Sequence, residues 1–354
     1  MTTLYLTEQR SLVRKEGDTL VVHIPEDREK GTEKRKVRVP LMKVDQVVVY
    51  GDSTITSPAL LALLEQRADI CFCTTYGNFV GHLSPEFSKN GLLRIRQHEV
   101  RGNYEQRVKL ARSFVEGKLS NQRTLLLRSN RKLQDEELGR AAASLKGIIE
   151  QVQAVSGAGE VAVDPSDPQK ETPLGTLLGL EGAGSAVYFH AFGRLLKQEM
   201  GFEGRTRRPP KDPINALLSY GYVLLMHKVM SAISIVGLDP YAGYLHSSQY
   251  GKPALALDIM EEMRTPVVES VVLNLINNRI LQREHFQEEL GSYRLTEGGR
   301  RRFLEKFEER LNTPIQHPVF DYQATYHKCL ELQVRLLAKT LTGEIGAYVP
   351  FVVR

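Results

Sequence analysis

Two periods of apolar residues divide the chain. Up to about residue 85 the apolar positions alternate, or run together in short stretches of Val, Ile, Leu and Thr. The stretches TLYL, SLVRKEGDTLVVHI, KRKVRVPL and VDQVVVYG read this way and predict strands. KEGD (15–18) is a hairpin turn signal, and PEDREKGTEK (25–34) predicts a charged, solvated hairpin tip. One helical stretch interrupts, SPALLALLEQRA (57–68), with Ser57 as its expected N-cap and Pro58 at its first helical position. DICFC and GNFVGHL then predict two closing strands. From about residue 90 the period becomes 3.6. NYEQRVKLARSFVEGKLSNQRTLLLRS predicts a long helix carrying Arg107, Lys109, Arg112, Lys118, Arg123 and Arg128. Further helical patterns cover roughly 134–155, 172–200, 212–236, 253–264, 266–281 and 316–342, with a Pro/Gly-rich loop at 156–173. The expected fold class is α+β: a small, sandwich-like β-rich domain over 1–88, then a larger all-α domain over 89–354.

Composition narrows the function classes only a little. Hydrophobic residues make up 42% of 354, enough for a core throughout. A formal charge of +5 permits a polyanionic partner without demanding one. No apolar run is expected to be long enough to span a bilayer, and the opening MTTLYLTEQR has no signal-peptide core. Three cysteines without a CxxC pair argue against a zinc ribbon and suit a reducing cytosol. Cys71 and Cys73 alternate in a strand-like stretch, so both point to one face as packing residues. The absence of GxxxxGK[ST] argues against ATP hydrolysis. A cytoplasmic protein with no membrane role is expected.

Three segments could carry chemistry. In TPLGTLLGLEGAGSAVYFHAFGRLL an apolar stripe runs Leu174, Leu178, Glu181, Ser185, Tyr188 and Phe192. Glu181 therefore shares a line with core-facing residues, and must be paired, protonated or metal-bound. Small residues beside it, Gly182 and Gly184 among them, admit a close neighbour. In RTRRPPKDPINALLSYGY, Arg205, Arg207, Arg208 and Lys211 lie in a Pro-stiffened arc before a helix capped by Asp212. Arginine forks in a fixed arc suit phosphates, although a solvated loop explains the same residues. In YLHSSQYGKPALALDIMEEMR, Asp258, Glu261 and Glu262 share one helix face, with Leu257, Ile259, Met260 and Met263 on the other. That is the pattern of a plain amphipathic helix. His246, in the loop before it, could fold back over the helix start. Taken together, a buried-pattern Glu, a His and an Asp/Glu pair at i, i+3 make a mixed oxygen and nitrogen set suited to Mg²⁺ or Mn²⁺. With the cations, they would support metal-assisted attack on a phosphodiester. Acids paired only with the arginines, on a DNA-binding scaffold, remain the alternative.

LLGLEGAGSAVYF, RTRRPPKDPINALLSYGY and GLDPYAGYLHSSQYGKPALALDIMEEMR also resemble, in order, the three signature blocks of the CRISPR-associated integrase/endonuclease family, the first-numbered Cas proteins. The resemblance implies a metal held by Glu181, His246 and Glu261, with Asp258 as a second acid close to it and Glu262 left as a solvated acid. It implies that Arg205, Arg207, Arg208, Asn215 and Tyr220 line the site. Lys211 and Lys252 join these as expected DNA contacts. It implies a homodimer through the β-rich domains, two such dimers flanking a dimer of a small second CRISPR-associated protein. The complex would insert captured double-stranded DNA into the CRISPR repeat by 3′-hydroxyl attack. A metal-dependent nuclease on branched or damaged DNA, without an integration role, is the alternative within the same chemistry.

Overall fold

The computed structural model describes residues 2–27, 33–77, 79–86, 88–157, 172–206, 208–247 and 249–353. Most of the expected loop at 156–173 and half of the charged tip at 25–34 fall outside these. The chain divides into two compact units, Met1–Ser88 and Lys89–Arg354.

The first unit holds β1 (Thr2–Leu6), β2 (Ser11–Glu16), β3 (Thr19–Ile24), β4 (Arg35–Pro40), β5 (Val44–Tyr50), β6 (Ser53–Ile55), α1 (Ser57–Glu65), β7 (Asp69–Cys73) and β8 (Phe79–Leu83). One sheet runs β1-β5-β7-β8, its first three strands parallel and β8 antiparallel. The other runs β4-β3-β2-β6. KEGD closes the β2–β3 hairpin, with Glu16 opposite Thr19 and Gly17 at φ +58°, a conformation that glycine adopts without strain. Leu6, Val47, Val49 and Ile70 of one sheet meet Val13, Leu20, Val22 and Ile24 of the other and Ala59, Ala62 and Leu63 of α1 in one buried cluster. The helix cap lies one residue earlier than the sequence suggested. The Thr56 carbonyl accepts from Ala59 and Leu60 N–H, so Ser57 is already helical and Thr56 is the N-cap. Cys71 and Cys73 are buried on one face of β7, their sulfurs 3.8 Å apart.

The second unit is built on helices α2 (Gly91–Gly102), α3 (Tyr104–Leu133), α4 (Glu136–Ala154), α5 (Pro173–Phe192), α6 (Pro213–Val236), α7 (Ala254–Met263), α8 (Ser270–Asn277), α9 (Glu297–Leu311) and α10 (Tyr326–Leu341). Asn103 separates α2 from α3 and caps α3 by accepting from Gln106 N–H. Asp212 caps α6 through Asn215 N–H at 2.8 Å. Arg264–Glu269 is a π turn joining α7 to α8, the kind of widened turn often found at functional sites.

Several expectations need correction here. The unit is not all-α: β9 (Phe286–Glu289) pairs with β10 (Ser292–Leu295), and β11 (Pro314–Gln316) with β12 (Gln323–Thr325). The first ribbon turns at Leu290 and Gly291, both at positive φ. The helix expected from 316 begins only at Tyr326, because residues before it pair as a ribbon and Thr325 caps the helix through Lys328 N–H. Helix α9 has clear periodicity in Phe303, Leu304, Phe307 and Leu311 and was not among the expected helices. The pattern at 172–200 ends as an α-helix at Phe192, followed by a 3₁₀ turn over Gly193–Leu195. Finally, α6 is long and apolar enough to cross a membrane by length and composition, contrary to the reading of the sequence, and 61% of that stretch is buried inside the unit. It serves as a core helix.

Gly184 sets how closely α5 approaches α3: a Cβ there would fall 2.5 Å from Leu119 Cδ2. Gly184→Ala should destabilise the chain by roughly 1–3 kcal/mol. Leu119→Ala in the same chain should recover part of that loss relative to Leu119→Ala alone. Denaturant unfolding of the four forms measures this, and strict additivity would refute the contact.

Candidate active site

The site starts with the loop after α6. Helix α6 ends at Gly237 (φ +96°), and the chain then crosses α2 and the start of α3. Gln97 donates to the carbonyls of Asp239 and Ala242, Arg101 to that of Gly243, and Arg107 to that of Tyr244 at 2.8 Å. The loop's N–H groups point the other way, onto Asp258 of α7. Asp258 accepts from Tyr244, Leu245 and His246 N–H at 2.6, 3.0 and 2.9 Å. Its Oδ1 also lies 2.7 Å from His246 Nδ1. A carboxylate facing Nδ1 accepts from that ring N–H, so in the neutral ring the proton stays on Nδ1 and Nε2 carries the lone pair.

His246 Nε2 faces Glu261 Oε1 at 3.9 Å. Glu261 lies one turn beyond Asp258 on α7 and is 2% exposed. Arg264 pairs with its Oε1 at 2.9 Å, and Lys118 Nζ stands 2.8 Å from its Oε2. The Lys118 contact has the distance but not the angles of a hydrogen bond, so Oε2 has no hydrogen-bond donor; neither does Arg264 Nε have an acceptor. Lys118 also bonds Glu181 Oε1, which accepts from Ser185 Oγ at 2.9 Å. One ammonium from α3 therefore lies between a carboxylate of α5 and a carboxylate of α7. Burial pushes the Glu261 carboxyl up, but the charges of Arg264 and then Lys118 lead the opposing contributions, and the group comes down to about 2.

Beyond Arg264, Glu269 accepts from the phenols of Tyr188 and Tyr222, both at 2.7 Å. Burial and then the Glu269 charge raise both phenols well above their ordinary value. Arg264 and Arg205 both lie over the Tyr222 ring, at 4.9 and 5.4 Å.

The sequence-predicted residues sort as follows. Glu181, His246, Asp258 and Glu261 come together. Arg205 reaches Asn215 and Ser219 and so touches the edge of this region. Asn215 is buried among Asp212, Thr206 and Gly204 and orders the segment before α6. Tyr220 packs its ring edge-on against Phe303, 5.2 Å between centroids. Arg208 and Lys211 are exposed, and Lys252 is half-buried. Arg207 lies outside the described residues. Glu262 is not a solvated acid: it is fully buried and accepts from Tyr348 OH, Gln333 Nε2 and Phe351 N–H at 2.7, 2.9 and 2.6 Å. Helix α7 is covered on both sides, so its acidic positions face protein. Lys118, Arg264, Tyr222 and Glu269 were not singled out. Lys118 had a legible signal, since it falls in line with Ala111, Val115 and Gln122 on the buried side of α3.

As the side chains are placed, no group of three acidic, histidine or cysteine side chains among the described residues is close enough to hold a metal ion. The donor set nevertheless fits one. Two carboxylates share one cation, an imidazole nitrogen faces the other oxygen of Glu261, and Glu261 Oε2 is a buried acceptor without a hydrogen-bond donor.

A model of the family described as CRISPR associated protein Cas1 matches residues 4–309. This chain belongs to the Cas1 family. It is 36% identical to CRISPR-associated endonuclease Cas1 3 of Thermus thermophilus, over 99% of this chain and 97% of that one. It is 37% identical to a Cas4 exonuclease/Cas1 endonuclease fusion of Geobacter sulfurreducens, over 99% of this chain but only 60% of the fusion's length. Among solved structures, a Cas1 protein from Thermotoga maritima matches with a TM-score of 0.77 at 27% identity, covering 99% of this chain and 98% of that one. A Cas6–RT–Cas1 chain in complex with Cas2 matches with a TM-score of 0.74 at 26% identity, over 99% of this chain and 36% of that one. The β-rich start and mostly helical remainder of this Cas1-family chain agree with those folds.

Glu262 supplies a test of the site's floor. Burial, opposed by its three donors, raises its carboxyl from 4.5 to about 7. The folded chain thus binds this proton more tightly than the unfolded one. The contribution to stability is full below about pH 4.5 and is lost as pH rises through about 7. Relative to Glu262→Gln, the wild type should lose about 3 kcal/mol across that window, read from thermal melts at successive pH values. A pH-independent difference between the two would refute it.

Proposed function

We propose that this Cas1-family chain is a metal-dependent DNA endonuclease and integrase whose helical unit carries the chemistry. The observation that carries the reading is the shared cation position: Glu181 and Glu261 approach one positive charge from two helices, and the free nitrogen of His246 faces the same carboxylate. Nucleases of this family need a divalent metal, and an oxygen-rich set with one imidazole suits Mg²⁺ or Mn²⁺. Glu181, His246 and Glu261 would hold it. When bound, the ion supplies Lewis-acid polarisation of the phosphoryl group and stabilisation of the leaving oxygen.

The rest is done by side chains. Asp258 fixes the loop and the imidazole tautomer, so Nε2 presents a lone pair. Arg264 neutralises Glu261 with one nitrogen of its guanidinium. Arg205, Arg207, Arg208, Lys211 and Lys252 supply positive charge for the DNA backbone. In the joining reaction a DNA 3′-hydroxyl attacks phosphorus and loses its proton. The new O–P bond forms as the bond to the target strand's 3′-oxygen breaks, and that oxygen takes up a proton. The number of phosphodiesters is unchanged, so no nucleotide triphosphate is consumed. With water as the attacking group the same site hydrolyses DNA.

The substrate we assign is captured double-stranded DNA and the CRISPR repeat, inside the cell. The partners are a second copy and the small Cas2 protein. The edge strand β8 exposes Phe79, Val80 and Leu83, which suits a homodimer through the β-rich unit.

Glu181→Ala and His246→Ala should each reduce strand cleavage and strand joining in Mn²⁺ by more than roughly 100-fold, since loss of even an outer partner costs about 10–100-fold. Asp258→Asn should fall in that lower range. Full activity in either alanine variant would overturn the site. A duplex with free 3′-hydroxyls and a repeat-bearing plasmid should give joined products; nicks alone would favour a nuclease on branched or damaged DNA. Arg208→Ala with Lys211→Ala should weaken DNA binding across sequences and flatten its log–log salt slope by about 1 per residue. An unchanged slope removes them from the DNA path.

A further inference from the structure

Lys118 is the least expected member of the site. It sits in the middle of a thirty-residue helix, its side chain 3% exposed, and its ammonium contacts one oxygen of Glu181 and one of Glu261. Its backbone has little room to move. A Cβ on the preceding Gly117 would fall 2.8 Å from Pro350 Cβ and 3.0 Å from Glu262 Cγ. Asn121, one turn on, donates to the carbonyls of Glu262 and Phe351 and accepts from Val353 N–H. The ammonium can leave the two carboxylates only by rotation of its own long side chain.

We propose that Lys118 is the resident counter-cation of the metal site, and that metal loading is an exchange in which the ion takes over Glu181 and Glu261 from the Lys118 ammonium. This rests on the reading of Glu181 and Glu261 as metal ligands given above. Two physical facts require an exchange. The two carboxylates come from separate helices and repel each other where Glu261 is buried and Glu181 only partly exposed, so without some cation the α3–α5–α7 packing is opposed. An ammonium and a divalent ion repel each other in the same way, so both cannot sit on the same pair of oxygens. The chain is therefore expected to fold fully without metal, and to bind metal more weakly than its ligand set alone would allow.

The test uses the full chain and Mn²⁺, with affinity from calorimetry and melting temperature with and without the ion. Lys118→Met keeps the length of the side chain and removes the charge. It should bind Mn²⁺ at least about tenfold more tightly than wild type. Its metal-free melting temperature should fall below wild type, and Mn²⁺ should raise it by more than it raises that of wild type. Equal or weaker Mn²⁺ affinity in Lys118→Met overturns the exchange. So does a Lys118→Met chain that stays unfolded in saturating Mn²⁺, because either cation should suffice. Glu181→Ala separates the two claims. If it removes Mn²⁺ binding while Lys118→Met leaves affinity unchanged, the metal site stands and only the exchange fails. If Mn²⁺ binding survives Glu181→Ala, the ligand assignment fails and the exchange with it.

Discussion

Negative charge inside an apolar interior is the constraint on which the helical unit depends. Asp258, Glu261, Glu262 and Glu269 are all 2% exposed or less, and an isolated carboxylate cannot persist there. Each is accommodated differently. Asp258 receives three backbone N–H groups and an imidazole. Glu261 stands between two cations. Glu262 takes three neutral donors and holds its proton to about pH 7. Glu269 receives two phenols. Three of these acids fall within five residues of one helix, so α7 can be seated only where loop, cation and donor partners all meet it.

How much of this was legible differs by feature. The change of period near residue 90, the KEGD turn, the Asp212 cap and the stripe through Glu181 were readable, because each depends on near neighbours in sequence. The short ribbons were not: β11 and β12 have three residues each, too few for alternation to register, and their pairing is tertiary. The acids of α7 show why a helical wheel alone misleads. A polar face looks the same whether it meets water or buried partners, and what covers Glu262 comes from residues 333–351. Lys118 was visible as a lysine on a buried line, yet its meaning needs Glu181 and Glu261, 63 and 143 positions away. Single segments left metal site and ion-paired scaffold equally open; only their order as a set carried the family.

Aromatic contacts tie the basic segment before α6 to the acids. Arg205 and Arg264 share the Tyr222 ring, while Glu269 fixes that ring through its hydroxyl. The ring's negative face lets two like charges lie near each other in a closed space. Arg205 of the Pro-stiffened arc is thereby joined to the π turn that carries Arg264.

Asn121 joins Glu262 to Phe351 and Val353 across more than 220 positions. That contact has a consequence in time. During synthesis α3, α5 and α7 emerge long before the segment that closes over Glu262. Until that segment docks, Glu262 lacks both its cover and its donors, and Gly117 has no Pro350 against it. A nascent chain in this state exposes apolar helix faces and lacks the packing that brings Lys118 to both carboxylates. Docking of residues 348–353 therefore completes the packing around both Glu262 and the helix that carries Lys118.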